Sequence, residues 1–378
     1  MARSARSWDE SDVRVRPNRR GSRPRTKERP KHEDAIVGRV TAVDRGRWTT
    51  LVPAGDGLPE RIVIAMRARE LGRSPVVVGD RVAMVGDTSG RPDTLARIVR
   101  IEERTTVLRR TADDTDPVER VIVANADQLV VVAALADPEP RPRLIDRCLV
   151  AAYDAGMDPL LVLTKADLAS AEDFLAQYAP LDVPHVVTSV LTEGSEGLAE
   201  LRGRLAGRTS VLVGHSGVGK STLVNALCPD ADRATGHVND VTGRGRHTST
   251  SALGLRLPPL PAHLPREMRT PDPSDAHVPR EMRTTKAEVD PDAAGWIIDT
   301  PGIRSFGLAH VEPDRIIGHF PELAEGANQG CPRGCSHDEP ECALDAWVAA
   351  GHAGPGGELR LDSLRRLLRA RSGEEAQG

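Results

Sequence analysis

Aromatic residues are scarce in this sequence, at 2% of its 378 residues, and tyrosine occurs only twice. No apolar run approaches the length of about 20 residues that a membrane-spanning helix needs, which predicts a protein without a membrane partner. The basic N-terminus lacks the apolar segment of a secretory signal, so a cytoplasmic protein is expected. The length allows two or three domains with separate cores.

Cysteine is also uncommon, and its five occurrences are unevenly placed. Cys148 and Cys228 stand alone, whereas three others fall close together beside a histidine. In a cytosolic chain such a cluster indicates a metal site rather than disulfides. Three thiolates and one imidazole complete a tetrahedral set, which predicts one structural Zn²⁺ with no open position for catalysis. The predicted zinc ligands are Cys331, Cys335, His337 and Cys342.

Positive charge is concentrated at the two ends of a chain whose formal net charge is −4. Residues 1–33 hold eleven Arg or Lys against five acids and almost no large apolar side chains, which is typical of a disordered basic tail, predicted over 1–35. Residues 359–371 combine leucines and arginines at helical spacing. These ends bind a polyanion, or they are a solubilising tail and an ordinary amphipathic helix; charge alone leaves both interpretations open.

Five short strand patterns separated by Gly, Asp and Pro predict a small barrel of the OB type over residues 36–107. They cover residues 36–43, 48–52, 61–66, 76–85 and 96–101. OB barrels often bind nucleic acid by stacking bases on aromatic side chains. Trp48 is the one aromatic residue of this segment, so a barrel that serves only as a spacer stays a second interpretation.

Residues 108–310 alternate between strand and helix patterns, which predicts an α/β domain. The apolar run 129–134 is typical of a buried parallel strand, and residues 143–155 have helical spacing. Further strands are predicted at 159–163, 184–188 and 210–213, and a helix at 221–227. Residues 311–378 are left for a small C-terminal zinc-binding domain that ends in the basic helix.

The stretch that follows the strand at 210–213 fits the phosphate-binding pattern GxxxxGKS. Its glycines let backbone N–H groups point at phosphate oxygens. Lys220 is expected to reach the β- and γ-phosphates, and the Ser221 hydroxyl to ligate Mg²⁺. The predicted nucleotide contacts here are Gly214, His215, Ser216, Gly217, Val218, Gly219, Lys220, Ser221 and Thr222.

A guanine-reading motif of the NKxD type precedes this P-loop instead of following it. It reads Thr164-Lys165-Ala166-Asp167, with Thr in place of the usual Asn. The Asp167 carboxylate can accept two N–H groups of guanine, a donor pair that adenine lacks. Ser189 and Val190 are the predicted backbone contacts to guanine O6. The inverted order of the two motifs predicts a circularly permuted GTPase domain.

The sequence Asp299-Thr300-Pro301-Gly302 follows an apolar strand and matches the DxxG motif of the second switch. Asp299 is predicted to hold Mg²⁺ through water, and the Gly302 N–H to meet the γ-phosphate. Ile303 comes next, where many GTPases carry a water-orienting Gln.

The glycine-flanked stretch at 242–250 offers a substitute for that glutamine. His247 could position the attacking water, although an ordinary loop histidine is the alternative. Its hydroxyls could complete the Mg²⁺ shell; Thr248 is the predicted ligand, and Ser249 and Thr250 stay open. Residues 257–294 repeat a Pro-Arg-Glu-Met-Arg-Thr segment and predict a disordered insertion between two strands. A docking motif in this insertion is the less favoured alternative.

In their order along the chain, these features resemble the ribosome small-subunit-dependent GTPase A family (RsgA, also called YjeQ). The resemblance covers residues 36 to about 350 and includes the barrel, TKAD before the P-loop, GRGRHT at 243–248, DTPGIRSFGL at 299–308 and the Cys/His cluster. Departures are His215, where the family often has Gln, and two ligand spacings that are each about one residue shorter. The insertion and the basic tail lie outside the family core.

The resemblance implies a multi-domain chain: an OB-type barrel, a permuted P-loop GTPase domain and a small helical zinc domain. It implies a monomeric factor that binds GTP and GDP and acts in late maturation of the small ribosomal subunit and its rRNA. The subunit would stimulate hydrolysis, with His247 as the catalytic group. The rival hypothesis is a GTP-binding, RNA-associated protein with little hydrolysis. An adenylate-using kinase is disfavoured by Asp167.

Overall fold

A computed structural model describes residues 32–55, 57–72, 74–111, 118–189, 196–229, 252–259, 295–301, 307–308, 310–340 and 342–372. The predicted basic tail, apart from its last few residues, and nearly all of the predicted insertion lie outside these ranges. The described residues from Asp34 onwards belong to one compact unit. Among the described residues, no helix is both long and apolar enough to cross a membrane.

The first five strands close into a barrel. They are β1 (Ile36–Asp44), β2 (Arg47–Val52), β3 (Arg61–Arg67), β4 (Arg81–Gly86) and β5 (Ala96–Ile101). Their order is β1-β2-β3-β5-β4, and β4 pairs back to β1. Only β3 and β5 run parallel within the barrel. Alternate side chains such as Val40, Val63 and Ile98 fill its core. The predicted OB-type barrel is confirmed.

The predicted strand at 76–85 is shorter than its apolar pattern, because regular pairing starts only at Arg81. Gly79 has a φ of +90° and Asp80 folds its carboxylate back onto the Val77 N–H at 2.8 Å. Both features interrupt extended backbone. A second difference is a two-stranded antiparallel sheet that sequence reasoning missed, β6 (Val107–Arg110) with β7 (Arg120–Ala124). Arginines along both strands obscure the alternation of polar and apolar residues.

Six further strands form the sheet of the α/β domain. They are β8 (Gln128–Ala134), β9 (Asp158–Thr164), β10 (His185–Val187), β11 (Thr209–Gly214), β12 (Leu253–Arg256) and β13 (Trp296–Asp299), in the order β10-β9-β8-β11-β13-β12. All neighbours run parallel except β12, which is antiparallel to β13. The P-loop strand β11 is central, with earlier strands on one side and later strands on the other. This arrangement agrees with circular permutation.

Within the described ranges, four helices accompany this sheet: α1 (Pro142–Asp154), α2 (Glu172–Tyr178), α3 (Glu196–Leu205) and α4 (Lys220–Leu227). The barrel and the α/β domain share one continuous sheet, because β12 also pairs with β1 at Leu253 and Ala42. A hydrogen bond of 2.9 Å from the Leu257 N–H to the Gly295 carbonyl closes the β12–β13 pair at the end away from Asp299. The predicted insertion joins β12 to β13 at this end of the strand pair.

The C-terminal region consists of α5 (Pro313–Ile317), α6 (Pro321–Gly330), α7 (Ala343–Ala349) and α8 (Gly357–Ser372). Leu361, Leu364, Leu367 and Leu368 of α8 are buried in the same core as Leu149 of α1, whereas Leu359 is exposed. Its five arginines all have partners within the protein. Arg360 pairs with Glu322, Arg365 with Asp345, Arg366 with Asp146 and Arg369 with Asp338, and Arg371 donates to the Val311 carbonyl at 2.5 Å. These contacts favour the amphipathic-helix interpretation over a free polyanion-binding surface.

Candidate nucleotide and metal sites

The predicted nucleotide motifs meet at one edge of the sheet, because β9, β11 and β13 run parallel and each motif follows the carboxyl end of its strand. Gly217 and Gly219 both have a φ of +86°, a conformation that strains other residues. A Cβ on Gly214 would lie 2.6 Å from the Val132 carbonyl oxygen. The glycine spacing of the P-loop is therefore required by its backbone path.

Lys220 connects the P-loop to the DxxG segment. Its side chain is buried, forms an ion pair with the Asp299 carboxylate and donates to the Thr300 carbonyl at 2.6 Å. The Thr300 hydroxyl in turn donates to the Leu212 carbonyl on β11 at 2.7 Å. The predicted phosphate-binding lysine and the predicted magnesium carboxylate are thus in direct contact.

Thr164 connects the guanine-reading motif to the P-loop. Its hydroxyl is buried and approaches the Val218 carbonyl at 2.6 Å and the Ala133 carbonyl at 3.3 Å. The shorter contact ties β9 to the loop that surrounds the phosphates. A hydroxyl has one proton to give, so this interaction occupies the donor of Thr164.

Asp167 and Ser189 meet although 22 residues separate them. The Ser189 hydroxyl donates to Asp167 Oδ1 at 2.5 Å, while Asp167 itself is exposed. The sequence predicted a backbone contact from Ser189 and missed this role of its side chain, because only the pairing of β10 with β9 brings them together. Lys165, with a φ of +59°, donates to the Asp137 carbonyl.

The remaining polar side chains of the P-loop are exposed or partly exposed to solvent. Ser216, Ser221 and Thr222 are exposed, so their hydroxyls are accessible. His215 Nδ1 lies 2.8 Å from the Ser216 carbonyl. Other predicted site residues lie outside the described ranges, and their assignments stay predictions. They are Val190, His247, Thr248, Ser249, Thr250 and Gly302, together with Ile303.

The four predicted zinc ligands come together. Their ligand atoms all lie within 4.8 Å of one another, the one such cluster among the described residues. Cys331 Sγ and Cys342 Sγ are 3.7 Å apart, and Cys342 Sγ lies 4.0 Å from His337 Nδ1. Two sulfurs bound tetrahedrally at about 2.3 Å would be about 3.8 Å apart. The cluster could therefore hold a metal ion of this kind.

Charged neighbours fix the backbone around this cluster. Arg365 donates to the His337 carbonyl at 3.1 Å, and Arg369 forms two bonds of 2.7 Å with Asp338. Both arginines come from α8, one turn apart, so that helix holds the segment in which His337 has a φ of +62°. Burial raises the pKa of Cys335 to about 11, assisted by a hydrogen bond to Glu339. A bound cation would favour the thiolate instead.

Comparisons with known proteins found a matching family model and similar sequences. A family model described as RsgA GTPase matches residues 101–259. The "Small ribosomal subunit biogenesis GTPase RsgA" of Gemmatimonas aurantiaca is 36% identical over 346 residues, which cover 89% of this chain and 99% of the relative. The protein of that name from Pseudomonas syringae pv. tomato is 38% identical over 300 residues, 78% of this chain and 74% of the relative.

Two solved structures share the fold. The structure of YjeQ from Thermotoga maritima has a TM-score of 0.55 at 24% identity and covers 90% of this chain and 99% of its own. That of YloQ, described as a circularly permuted GTPase, has a TM-score of 0.55 at 20% identity, with coverages of 93% and 100%. At these identities the likeness supports the permuted fold alone.

Proposed function

This chain belongs to the RsgA family of GTPases, and we propose that it hydrolyses GTP during late assembly of the small ribosomal subunit. The subunit stimulates hydrolysis, and loss of the γ-phosphate lets the protein leave. Its place of action is then the cytoplasm, and its partners are the subunit, its rRNA, GTP and GDP. The observation that carries the proposal is the contact of Lys220 with Asp299, which joins the P-loop and the DxxG segment at the sheet edge.

Different groups of the site bind the phosphates and the magnesium ion of the nucleotide. The P-loop backbone binds the phosphates, and Lys220 exchanges its pairing with Asp299 for phosphate oxygens when GTP enters. When bound, Mg²⁺ would supply positive charge that offsets the negative charge of the phosphates during hydrolysis. The exposed Ser221 hydroxyl and the Asp299 carboxylate are the groups available to hold it, and Thr248 is the proposed third ligand.

Base selection rests on Asp167. Its carboxylate accepts the two adjacent N–H groups of guanine, and the Ser189 hydroxyl at 2.5 Å keeps it oriented. Adenine would leave the carboxylate without donors. The hydroxyl of Thr164 already bonds the P-loop, so recognition depends on Asp167 more heavily than in a GTPase with Asn at this position.

Water activation is assigned to His247. Ile303 cannot orient water, and the segment 242–250 has the glycines and the imidazole for this role. Docking on the subunit brings His247 to the reacting water, so we expect slow hydrolysis by the free protein.

We also propose that the Cys/His cluster holds one structural Zn²⁺. Four ligands leave no position for a substrate, so the ion stabilises the C-terminal region rather than taking part in hydrolysis. Elemental analysis should find one zinc per chain, and removing zinc should open the segment around 331–342 and weaken subunit binding while nucleotide binding persists. Less than one zinc per chain, or cobalt-loaded protein without tetrahedral absorption bands, would contradict this.

The decisive test is GTP turnover with and without small subunits. We expect slow turnover alone, strong stimulation by small subunits and none by large subunits. A pull-down with a non-hydrolysable GTP analogue should retain the small subunit, and the GDP form should release it. Subunit binding without any stimulated turnover would favour the alternative, an RNA-associated protein in which GTP is structural.

A further inference from the structure

The barrel touches the GTPase domain through a close backbone contact at residues 76–80, here called the barrel loop. The Val78 carbonyl accepts the Ala124 N–H at 3.1 Å, and the Gly79 carbonyl accepts Asn125 Nδ2 at 3.0 Å. A Cβ on Gly79 would lie 1.9 Å from the Ala124 carbonyl oxygen, and its φ is +90°. Only glycine permits this approach.

The barrel loop is fixed to the barrel itself. Gly79 N–H donates to the Val40 carbonyl at 2.9 Å, and Val40 N–H donates to the Asp80 carbonyl at 2.8 Å. The Asp80 carboxylate is fully buried and accepts two bonds from Arg104, at 2.7 and 2.9 Å. Charge-assisted bonds at a buried site are strong, so the barrel loop moves with the barrel.

The other side of the contact leads towards the nucleotide site. Val123 on β7 pairs with Leu108 on β6, and just beyond β6 the Thr111 N–H donates to the Gly307 carbonyl at 3.2 Å. Gly307 follows the DxxG motif after four residues of the sequence. Leu308 is fully buried in the same core as Leu108 and Val123.

We propose that the β6–β7 hairpin is a relay that couples docking of the barrel to the second switch, with Gly79 and Asn125 as its positioning residues. Displacement of the barrel loop shifts Ala124, and the hairpin carries the shift through Thr111 to Gly307. The proposal rests on the proposed function, because it supplies the route by which a subunit held at the barrel stimulates hydrolysis. Both ends of the relay are packed against buried residues, so a shift is transmitted rather than absorbed.

A second contact between the two domains offers a competing route. The pairing of Ala42 with Leu253 joins β1 to β12, and β12 in turn pairs with β13. Changes at Gly79 and Asn125 leave that pairing in place, so they test the hairpin route separately.

Two variants interrupt the relay in different ways. Gly79→Ala forces the barrel loop away from Ala124. Asn125→Asp is the milder change. In the wild-type structure the Thr105 N–H donates to Asn125 Oδ1 at 2.8 Å, and an Asp side chain keeps this acceptor and tolerates the φ of +54°. The change removes only the amide donor to the Gly79 carbonyl. The matched control is Gly72→Ala, at a glycine with a φ of +57° and no atom within 4 Å of an added Cβ.

Stimulated turnover at saturating small subunits should fall about tenfold in Gly79→Ala and Asn125→Asp, within the range usual for coupled sites. The subunit concentration for half-stimulation and the unstimulated rate should stay within about twofold of Gly72→Ala. A loss of docking alone would raise that concentration and leave the saturated rate unchanged. If Gly79→Ala does not fold, Asn125→Asp decides.

Hydrogen exchange of the free protein tests the relay without ribosomes. The Thr111 amide should exchange faster in both relay variants than in Gly72→Ala, although Thr111 lies at the opposite end of the hairpin from Ala124, where both changes act. Unchanged exchange at Thr111, or stimulated turnover equal to that of Gly72→Ala, would overturn the relay. If wild-type protein shows no stimulation, the proposed function fails, and the exchange result alone judges the relay.

Discussion

The Thr164 hydroxyl and the Val218 carbonyl, 54 residues apart in sequence, form a hydrogen bond of 2.6 Å that joins the guanine-reading strand to the P-loop. Both residues are buried, so the pairing fixes the distance between the base-recognition motif and the phosphate-binding loop. The threonine that departs from the usual Asn of the NKxD motif thereby contributes to the shape of the whole site.

Replacing Thr164 with Val should weaken GDP binding. Removing the hydroxyl leaves a buried carbonyl without its donor, at a cost of about 1–3 kcal/mol shared between fold and binding. We expect roughly tenfold weaker affinity in a fluorescent-nucleotide titration. Thr164→Ser keeps the hydroxyl and should bind like wild type. Equal affinities for Thr164→Val and Thr164→Ser would show that the bond does not support nucleotide binding.

Asp167→Asn should change the preferred base. Losing a charge-assisted acceptor pair should weaken GTP binding by roughly 2–3 kcal/mol. An amide can donate to the 2-oxo group of xanthine, so the variant should bind xanthosine triphosphate better than GTP. Competition titrations with both nucleotides measure this. Asp173→Asn, an exposed carboxylate on α2, is the control and should keep the guanine preference. Persistent GTP preference in Asp167→Asn would remove the assignment.

His247→Ala should keep GTP and subunit binding but lose most of the stimulated rate. Completing a GTPase site by a partner is worth roughly 10³–10⁵-fold, which bounds the loss. The variant should also stay on the subunit, since release needs hydrolysis. Single-turnover assays at saturating subunits give the rate, and His185→Ala, at an exposed histidine of β10, is the matched control. A rate near wild type would point to a catalytic group supplied by the ribosome.

Stability should fall as the pH rises through the titration of Asp146. Burial raises the pKa of this carboxyl from 3.8 to about 6, although Arg366 lies 3.0 Å away. Between about pH 4 and 6 the folded protein keeps a proton that the unfolded chain releases. The stabilisation that comes from this proton is therefore full below about pH 4 and is lost as the pH rises past 6. A pKa difference of about two units between the folded and unfolded states corresponds to a loss of about 3 kcal/mol in the free energy of unfolding.

Denaturant unfolding of Asp146→Asn between pH 4 and 7 checks this expectation. The variant should lack the decline that wild type shows. Asp345→Asn should retain the decline, because Asp345 has a pKa lowered by its hydrogen bond to Arg365. Parallel pH profiles for wild type and Asp146→Asn would contradict the prediction.

Replacing residues 258–294 with Asn-Gly should preserve the GTPase. Leu257 and Gly295 are already hydrogen-bonded at 2.9 Å, so a two-residue turn can close the β12–β13 hairpin. The junction lies at the end of β13 away from Asp299. Stimulated turnover and the melting temperature should stay close to wild type. Abolished turnover in a folded deletion variant would assign a function to the insertion.

The sequence determined the features that depend on short stretches of chain. Gly217, Gly219 and the Lys-Ser pair specify a P-loop locally, because both glycines take a positive φ within the loop itself, whereas Gly214 is required by its close approach to the distant Val132 carbonyl oxygen. The metal cluster is equally local, since a soft cation needs four ligands that twelve residues can supply. Circular permutation of the GTPase domain followed from the inversion of TKAD and the P-loop.

Only the tertiary structure decided which distant groups meet. Ser189 reaches Asp167 through strand pairing. The arginines of α8, for which the sequence left polyanion binding and an ordinary amphipathic helix both open, have carboxylates and carbonyls from other segments as partners. The sequence patterns did not predict β6 and β7, and they predicted a strand at 76–85 that in the structure begins only at Arg81, after Gly79. Such contacts join residues far apart in the chain, and no sequence periodicity predicts them. They depend on how whole strands and helices pack against one another.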